Sequence, residues 1–548
     1  MSFAAGFTSD FLENARNALQ RVRRPLAVLI LPFLGGLFAG YRLPWCVWVG
    51  TLLFALLLGV ALRRDRRWRL FLTLILAGWT AGGVLGIGDG AFRRYELDRA
   101  VSVGQKGRYI CRVGGPVRFI RKTTRGVAYT FTAAEFLTEG GKPLVRRIPV
   151  EVTWYDRNPA YGGRMPVAGE RWRIDGTLRK GRDRHRLPVL RVNTRWEHAE
   201  PSPSESGRYG WGKRVEALRR AAVRRVTIGI EDWGVVPQLN QAILLGVRNE
   251  IPPEMRRIFA DSGTIHVFAI SGLHIVLIAQ ILTLVIAMTG LPRTYWVFLL
   301  APILALYTVL TGARPSAIRA CLMVTLYYAA PLFGRRNDSL SVLAGTALLV
   351  YCFRPALLFD VGCMLSFSVM AGVLLFCGPF SRALERLFRL AKLEEWEGLW
   401  ARGGYRCRAW CVRMVRRFLR LEAGALAVTG AAWLASVPLT ATYFGRCSPG
   451  GLVANLIVAP ASLFVVIGGC LGMVLSLVSA TVASCYNHAA GLFTTLMIKA
   501  ASWAVSIPGG SFKVSRWPVW LVALWFLALL VWAFILRVRR ADGCEWME

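Results

Sequence analysis

The residue types that could do chemistry in this sequence are concentrated near its middle. Two of the five histidines, His266 and His274, lie in one apolar stretch, with Ser271 between them. A serine beside a histidine can act as a nucleophile with its base, so hydrolysis inside a membrane is one hypothesis. It is not favoured, because only Asp261 lies nearby to orient a histidine and the G-x-S-x-G and H-E-x-x-H motifs are absent. We therefore predict no catalytic residue, no metal site and no cofactor.

Two other roles remain open for these polar residues. They can join helices by hydrogen bonds, or they can line a hydrated path, because ionisable groups in transmembrane helices usually face a bundle interior or water. If the apolar span 264–289 continues a helix from Ser262, then Ser262, His266 and His274 fall within an arc of about 120°. The sequence thus predicts one continuous helix with a single polar face, loosened by the Ser-Gly pair at 271–272.

Further polar residues interrupt later apolar stretches, at 310–319, at Asp360 and at Asn455. Irregular backbone at membrane depth is tolerated only where it lines a cavity or is buried in protein, so several such breaks favour a pore. Arg319 lies near a helix start, where a guanidinium could contact phosphate; alternatively it extends to the interface or pairs with Asp360. The predicted channel or substrate path comprises Ser262, Gly263, His266, Ser271, Gly272, His274, Thr311, Arg314, Ser316, Arg319, Asp360 and Asn455.

Composition indicates which class of protein must position these residues. The chain has 548 residues, of which 55% are hydrophobic, and its mean hydropathy is +0.43. These values are typical of a polytopic membrane protein. The formal net charge is nevertheless +36. Part of that excess can set membrane topology, and the remainder predicts an anionic partner such as a phosphate polymer or an anionic lipid surface.

Hydropathy predicts about twelve transmembrane helices and one inserted domain outside the membrane. The predicted spans are 25–40, 45–62, 70–88, 264–289, 294–311, 316–333, 340–353, 356–377, 423–445, 451–477, 481–506 and 517–537. The small residues Gly78, Gly82 and Gly86 recur every four positions, a pattern that lets helix backbones approach closely. The basic short loops place both termini in the cytoplasm and the inserted domain outside.

The inserted domain, residues 92–213, has the alternation of half-exposed strands and predicts a small β-barrel of the OB type. Residues 93–200 contain 24 Lys/Arg and 11 Asp/Glu, a net charge of +13. Barrels that bind single strands combine a basic groove with aromatic rings for stacking, although such rings can equally be ordinary core. The predicted nucleic-acid contacts are Arg118, Arg121, Lys122, Arg125, Arg146, Arg147, Arg171 and Arg173, with Tyr129 and Trp154.

The remaining segments divide as follows. Residues 1–91 contain the first three spans, and residues 214–262 form amphipathic helices. The bundle follows in two parts, at 263–378 and at 423–548, and basic amphipathic helices at 379–422 separate them. Within the basic segment, residues 379–420 have 11 Lys/Arg against 4 Asp/Glu. We interpret it as two helices lying along the inner leaflet, with a docking site for a cytoplasmic partner as the alternative.

Five blocks in this order resemble the ComEC family of competence proteins. They are AILLGVRNEIPPEMRRIFADSGTIHVFAISGLHIVL at 242–277, LTGARPSAIRA at 310–320, RPALLFDVGCMLSFS at 354–368, VPLTATYFG at 437–445 and LVANLIVAP at 452–460. The blocks cover about 235–465. The N-terminal region is similar to the family's OB-like region more loosely, because the family's Phe-Asp-Tyr element after the barrel is not evident.

The resemblance implies an inner-membrane channel that carries single-stranded DNA into the cytoplasm during natural transformation, and not an enzyme. It implies a separate extracytoplasmic DNA receptor and a cytoplasmic helicase-like motor. The separate motor fits the sequence, because the sequence contains no Walker A motif with which to use ATP. Many family members carry a C-terminal metallo-β-lactamase-like domain. This sequence ends after its last span, so we expect a short form served by a separate nuclease. The alternative from another class is a transporter for a small or lipidic anion.

Overall fold

The structure is a computed structural model of the chain. It describes residues 25–42, 66–103, 107–113, 118–123, 126–139, 143–145, 150–156, 170–180, 190–195, 199–201, 210–248, 250–268, 272–335, 337–388, 390–402 and 406–542. The predicted span 45–62, Ser271, Arg125, Arg146 and Arg147 therefore lie outside the described residues.

The chain divides into two compact units. The first comprises Met1–Arg220, Pro292–Ala313 and Leu322–Asp360, and the second comprises Ala221–Leu291, Arg314–Cys321 and Val361–Glu548. The described helices are α1 Pro25–Arg42, α2 Arg66–Val103, α3 Gly210–Thr227, α4 Val236–Leu245, α5 Pro253–Asp261, α6 Gly272–Ala287, α7 Trp296–Leu310, α8 Pro315–Ala329, α9 Ser339–Phe353, α10 Val361–Leu387, α11 Leu390–Arg402, α12 Arg406–Phe444, α13 Gly450–Leu475, α14 Ala480–Ser506 and α15 Val519–Asp542. Short 3₁₀ helices occupy Ile265–Phe268, Arg293–Tyr295, Ala330–Phe333 and Pro355–Phe359.

Within the described residues, six helical stretches are long and apolar enough to cross a membrane. They are Arg293–Leu310, Pro315–Phe333, Val361–Leu387, Trp410–Phe444, Gly450–Leu475 and Ala480–Ser506. Shorter apolar stretches are Leu29–Tyr41, Gly272–Ala287, Ser339–Phe353 and Trp520–Ala533. The chain is therefore a mostly helical protein of membrane type, and each of the nine spans expected between 264 and 537 overlaps a described helix. The count of twelve spans stays a prediction.

In the first unit, α1 and α2 pack through glycines. A Cβ atom built at Gly36 would overlap the Trp79 carbonyl group, and one built at Gly82 would overlap the carbonyl oxygen of Phe33. The backbones therefore touch directly, as the recurrence of Gly78, Gly82 and Gly86 predicted. Helix α2 does not end at the predicted boundary near residue 91 but continues to Val103.

Eight short strands follow α2. They are β1 Gly107–Val113, β2 Arg118–Thr123, β3 Gly126–Thr138, β4 Pro143–Val145, β5 Val150–Asp156, β6 Arg171–Lys180, β7 Leu190–Arg195 and β8 Ala199–Pro201. β1 pairs with β3, β3 with β5, β5 with β7, β7 with β6, and β6 with β1. The circuit of pairings thus returns to its first strand. Every pair in it is antiparallel except β5–β7, which is parallel.

The strands enclose one hydrophobic core. Phe131, Val152 and Trp172 are buried there, and Leu97 and Ala100 of α2 join them. Burial raises the pKa of the Cys111 thiol to about 12, so this thiol stays protonated and packs as a small hydrophobe. The end of α2 is therefore part of the strand core.

In the second unit, α4 packs against α13 and α14. Leu239 and Ile243 of α4 are fully buried with Val465 and Val466 of α13 and Ala501 of α14. This core fixes the position of α4 on α13 and α14. Two further strands, β9 Arg446–Cys447 and β10 Phe512–Lys513, form a short antiparallel pair.

Candidate functional site

The second unit contains a break between α5 and α6. Helix α5 ends at Asp261, a 3₁₀ turn runs from Ile265 to Phe268, and α6 begins at Gly272. Gly263 adopts a φ of +75°, a conformation that costs residues with a Cβ atom about 1–2 kcal/mol. The prediction of one continuous helix from Ser262 through 264–289 is therefore wrong, because Gly263 turns the chain and a 3₁₀ turn occupies Ile265–Phe268 before α6 begins at Gly272.

Two buried hydroxyl groups stabilise the break. Ser262 and Thr264 are both fully buried, and their side-chain oxygens are 2.7 Å apart. The Ser262 hydroxyl also lies 3.3 Å from the carbonyl oxygen of Phe259, to which it donates. Hydroxyl groups buried in an apolar bundle need such partners, because an unpaired one costs several kcal/mol.

The break rests on the start of α13. A Cβ atom on Gly263 would lie 3.0 Å from the Cβ atom of Ser448, and the carbonyl oxygen of Ser262 would lie 3.2 Å from a Cβ atom on Gly451. Asp261 forms an ion pair with Arg446, in which both side chains are half-exposed. The first, fourth and fifth sequence blocks therefore meet or adjoin at this point.

Arg319 brings the second and third blocks to the same region. Its side chain is 7% exposed, and its Nε atom donates a hydrogen bond to Oγ of Ser366 at 2.7 Å. Its guanidinium carbon lies 5.8 Å from the centre of the Phe367 ring, within the range of a cation–π contact. A Cβ atom on Gly272 would lie 3.0 Å from Nη2 of Arg319, so this glycine gives the guanidinium room at the start of α6.

Other arginines bind carbonyl groups at the ends of broken helices. Arg314 donates to the carbonyl oxygen of Gly246 at 3.1 Å, just after α4. Arg248 donates to the carbonyl oxygen of Phe268 at 2.5 Å, at the end of the 3₁₀ turn. Terminal carbonyl groups lack intrahelical partners, and these guanidinium groups supply them. Arg314 thus has a structural partner as well as a place at the predicted path.

The two histidines occupy different surroundings. His266 is exposed, and its Nδ1 atom lies 3.2 Å from the carbonyl oxygen of Gly263. His274 is 1% exposed, on α6. They do not share one polar face, because the break separates them. The carboxylate of Asp261, the one acidic group near the two histidines in the sequence, pairs with Arg446.

The remaining predicted path residues are distributed between the units. Ser316 is half-buried at the start of α8, and Asn455 lies on α13 with a shielded Oδ1 atom that accepts no hydrogen bond from any described residue. Thr311 and Asp360 belong to the first unit. Thr311 is buried and donates to the carbonyl oxygen of Thr308 at 3.0 Å, and Asp360 follows a 3₁₀ turn at the start of α10. Of the predicted path residues, Gly272 thus lies beside Arg319, while Ser262 and Gly263 pack against the start of α13.

The described nucleic-acid candidates lie on the strands. Arg118, Arg121 and Lys122 are on β2, and the Cα positions of Tyr129 on β3 and Trp154 on β5 are paired in register. On β6, Arg173 is exposed, whereas Nη2 of Arg171 lies 3.4 Å from a carboxylate oxygen of Glu135. Arg112 contacts the other oxygen of Glu135 at 3.0 Å. Arg171 is therefore partly neutralised, and Arg173 is the more available cation.

Residues of the site that sequence reasoning missed include Thr264, Ser366, Arg446 and Arg248. A signal was present for Ser366, because it is a hydroxyl inside the apolar stretch that forms α10. Nothing in the sequence pairs Arg446 with Asp261, 185 positions away. Among the residues that the structure describes, no group of three His, Cys, Asp or Glu side chains could hold a metal ion.

Comparison with known proteins gives several partial matches. ComE operon protein 3 of Bacillus subtilis (strain 168) is 33% identical over 150 residues, which is 27% of this chain and 19% of that protein. An uncharacterized protein of Aquifex aeolicus (strain VF5) is 34% identical over 134 residues, covering 24% of this chain and 31% of its own length. Uncharacterized protein YcaI of Escherichia coli (strain K12) is 31% identical over 134 residues, covering 23% and 17%.

The chain therefore matches less than a third of the length of each of these relatives. No solved structure gives a significant match. The model of the Competence protein family matches residues 243–539, more than half of the chain, and this region contains α6 to α14 with the break and Arg319. The prediction from the five blocks is confirmed: this chain belongs to the competence protein family.

Proposed function

We propose that this chain conducts single-stranded DNA across the bacterial inner membrane during DNA uptake. The observation that carries the proposal is the position of Arg319, a buried guanidinium beside Gly272 at the break that precedes α6. A guanidinium is weakly hydrated and matches the geometry of phosphate. Membership of the competence protein family supports the same function.

Broken helices support a path for a polar polymer. Irregular backbone at membrane depth is stable only where protein buries it or where it lines water. In the second unit such backbone is joined to buried hydroxyl groups at Ser262 and Thr264 and to arginines that bind carbonyl groups. The breaks are therefore built with internal polar partners, which supports irregular backbone at membrane depth in this unit.

We further propose that β1 to β8 form an OB-like barrel that receives DNA outside the cell. The OB fold is a five-stranded Greek-key barrel that binds oligonucleotides. The circuit β1-β3-β5-β7-β6, which closes on β1, supports this assignment, since five strands can close a small barrel. Strand β2 lies in the connection between β1 and β3, and it carries Arg118, Arg121 and Lys122.

The remaining parts of the proposal concern location and partners. Both termini lie in the cytoplasm and the strands lie outside, as the basic short loops suggest. A separate DNA receptor, a nuclease and a helicase-like motor would supply capture, degradation of the second strand and energy. ComE operon protein 3 of Bacillus subtilis (strain 168), a partial match to this chain, is by its name an operon product, which supports a function shared with other proteins.

The function is tested by disrupting the gene in its host and scoring uptake of labelled DNA. We expect uptake to be lost and to return with the intact chain. In parallel, the full-length protein in liposomes is tested with a fluorescent single-stranded oligonucleotide and with inorganic phosphate. Passage of phosphate without oligonucleotide, together with normal uptake after disruption, would instead identify a small-anion transporter.

A further inference from the structure

Helix α12 is longer than a membrane crossing needs. It has 39 residues and is therefore about 58 Å long, whereas the hydrocarbon core of a bilayer is about 30 Å thick. Residues 423–444 carry no charge, but 406–420 carry six arginines. The arginine-rich half must therefore lie outside the hydrocarbon, and because it continues the spanning helix it projects from the membrane. This arrangement is an alternative to the two helices along the inner leaflet that the sequence predicts for 379–420.

Helix α11 pairs with the projecting half through ionic contacts. Nε of Arg413 lies 2.6 Å from Oε1 of Glu397. Arg416 contacts Glu397 at 2.9 Å and Glu394 at 3.0 Å. The hydrogen bond from Arg413, with the charges of Arg416 and Arg417, holds the pKa of the Glu397 carboxyl below its usual value. The two helices thus form a defined hairpin.

One face of this hairpin is apolar and uncovered. Trp410, Met414, Phe418 and Leu421 lie within an arc of about 80° on α12. Their exposed fractions are 58%, 45%, 60% and 73%. We call these four residues the α12 stripe. Contiguous apolar surface that a protein leaves exposed to water is typical of an interaction site.

Positive charge borders the α12 stripe. Arg417 lies about 20° from Trp410 around the helix, and Arg420 lies about 60° further. Both are exposed, and no carboxylate of the described residues lies within 4 Å of either one. Arg413 and Arg416, in contrast, are used within the hairpin. The chemistry of the face is therefore apolar along its centre and cationic along one edge.

We propose that the α12 stripe is the docking surface for an acidic amphipathic helix of a soluble partner protein. Such a helix would place its apolar face on Trp410 and Phe418 and its carboxylates beside Arg417 and Arg420, which is a known mode of helix recognition. The length of α12 keeps most of the stripe away from lipid tails. A second copy of the chain is disfavoured, because a symmetric contact would bring identical arginines together.

The test uses the full chain in nanodiscs, with a photoreactive benzoyl-phenylalanine in place of Phe418. The probe is a synthetic helical peptide with leucines at positions i, i+3, i+4 and i+7 and glutamates elsewhere. Its controls are a peptide of the same composition in scrambled order and one with lysine in place of glutamate. We expect the acidic amphipathic peptide alone to crosslink at position 418 and to bind saturably, with a Kd below about 1 mM, corresponding to about 4 kcal/mol.

Variants identify the surface. We expect the pair Trp410→Ala and Phe418→Ala to weaken peptide binding by more than tenfold, because aromatic anchors dominate such interfaces. Arg417→Glu with Arg420→Glu should weaken it and should admit the lysine peptide. Trp503→Ala is the matched control, since Trp503 is an exposed tryptophan of α14.

Three results would overturn the proposal. They are crosslinks only to lipid, crosslinks only between copies of the chain, and binding that is absent or equal for all three peptides. Circular dichroism of each variant establishes that it is folded. Because peptide binding does not require transport, it can fail while the channel function stands, and the reverse also holds.

Discussion

The Nε atom of Arg319 on α8 donates a hydrogen bond to Oγ of Ser366 on α10, 47 positions further along the chain, at 2.7 Å. The serine thus fixes the direction in which a buried guanidinium presents its other nitrogen atoms. One of these, Nη2, lies 3.0 Å from the position of a Cβ atom on Gly272. This relationship joins three of the five sequence blocks.

Replacing Arg319 should separate transport from assembly. We expect Arg319→Ala to abolish DNA uptake while the protein still reaches the membrane, because the guanidinium is proposed to contact phosphate. Ser366→Ala should lower uptake less, since it removes one hydrogen bond of a charged group, worth about 1.5–3 kcal/mol. Labelled DNA uptake and immunoblots of membrane fractions provide the measurements. Normal uptake by Arg319→Ala would remove this residue from the path.

Adding a methyl group at Gly272 should displace the guanidinium. The new Cβ atom would be 3.0 Å from Nη2 of Arg319, so we expect Gly272→Ala to reduce uptake and Gly272→Val to reduce it further. Gly424→Ala is the control, because the added Cβ atom meets no atom within 4 Å and alanine favours the helix by up to about 1 kcal/mol. Equal uptake by Gly272→Val and the intact chain would contradict the proposed packing.

The turn at Gly263 should tolerate no side chain. Gly263→Ala would adopt a φ of +75° and bring Cβ to 3.0 Å from Cβ of Ser448. Gly234→Ala has a comparable φ of +59° but open space around it. We expect about 1–2 kcal/mol of destabilisation for Gly234→Ala from backbone strain alone and a larger loss for Gly263→Ala. Thermal unfolding midpoints in detergent compare the two, and equal midpoints would show that the contact with Ser448 is unimportant.

DNA binding by the strands should depend on salt. Counterion release lowers affinity linearly on a logarithmic scale as salt rises. We expect Arg173→Gln to reduce the salt slope by about 1, because Arg173 is exposed. Arg171→Gln should change the slope less, since Arg171 contacts Glu135. Fluorescence anisotropy of a labelled single-stranded oligonucleotide with the full chain in nanodiscs measures both. Absence of binding at low salt would refute the receptor role.

Acid should loosen the α11–α12 hairpin. The pKa of Glu397 is lowered in the folded state by the hydrogen bond from Arg413, so the contact stabilises the hairpin above the usual pKa of glutamate, about 4.3. This stabilisation is lost as pH falls through the lowered folded-state pKa. We expect hydrogen exchange in 390–402, corrected for its intrinsic pH dependence, to accelerate below about pH 4. In the Glu397→Gln variant, hydrogen exchange in 390–402 should be faster already at neutral pH and should not show this acceleration in acid.

Sequence patterns predicted elements better than they predicted contacts. The spans expected at 340–353 and 481–506 lie within a residue of α9 and α14 at each end, because a run of apolar residues of sufficient length is a local property. The end of α2 was not predicted, since the helix continues beyond the span expected at 70–88 to Val103, through polar residues that hydropathy assigns to the inserted domain. Burial of Leu97 in the strand core explains the continuation.

At the site too, local features were predicted from the sequence and contacts between distant residues were not. The glycine and proline breaks were visible in the sequence, and so was the unusual position of Arg319. The face shared by Ser262 and the histidines was predicted wrongly, because a helical wheel assumes a helix and Gly263 ends it. Contacts such as Asp261 with Arg446 depend on how α5 and the start of α13 meet in space, and no local pattern contains that information.

Helix α2 gives the first unit a mechanical property. Near one end its glycines lock against the backbone of α1, so the two helices cannot slide past each other, and near the other end Leu97 and Ala100 are set into the strand core. Between these anchor points runs uninterrupted helix. A force applied to the strands would therefore be transmitted along the continuous helix α2 to α1, because no flexible linker separates the two anchor points.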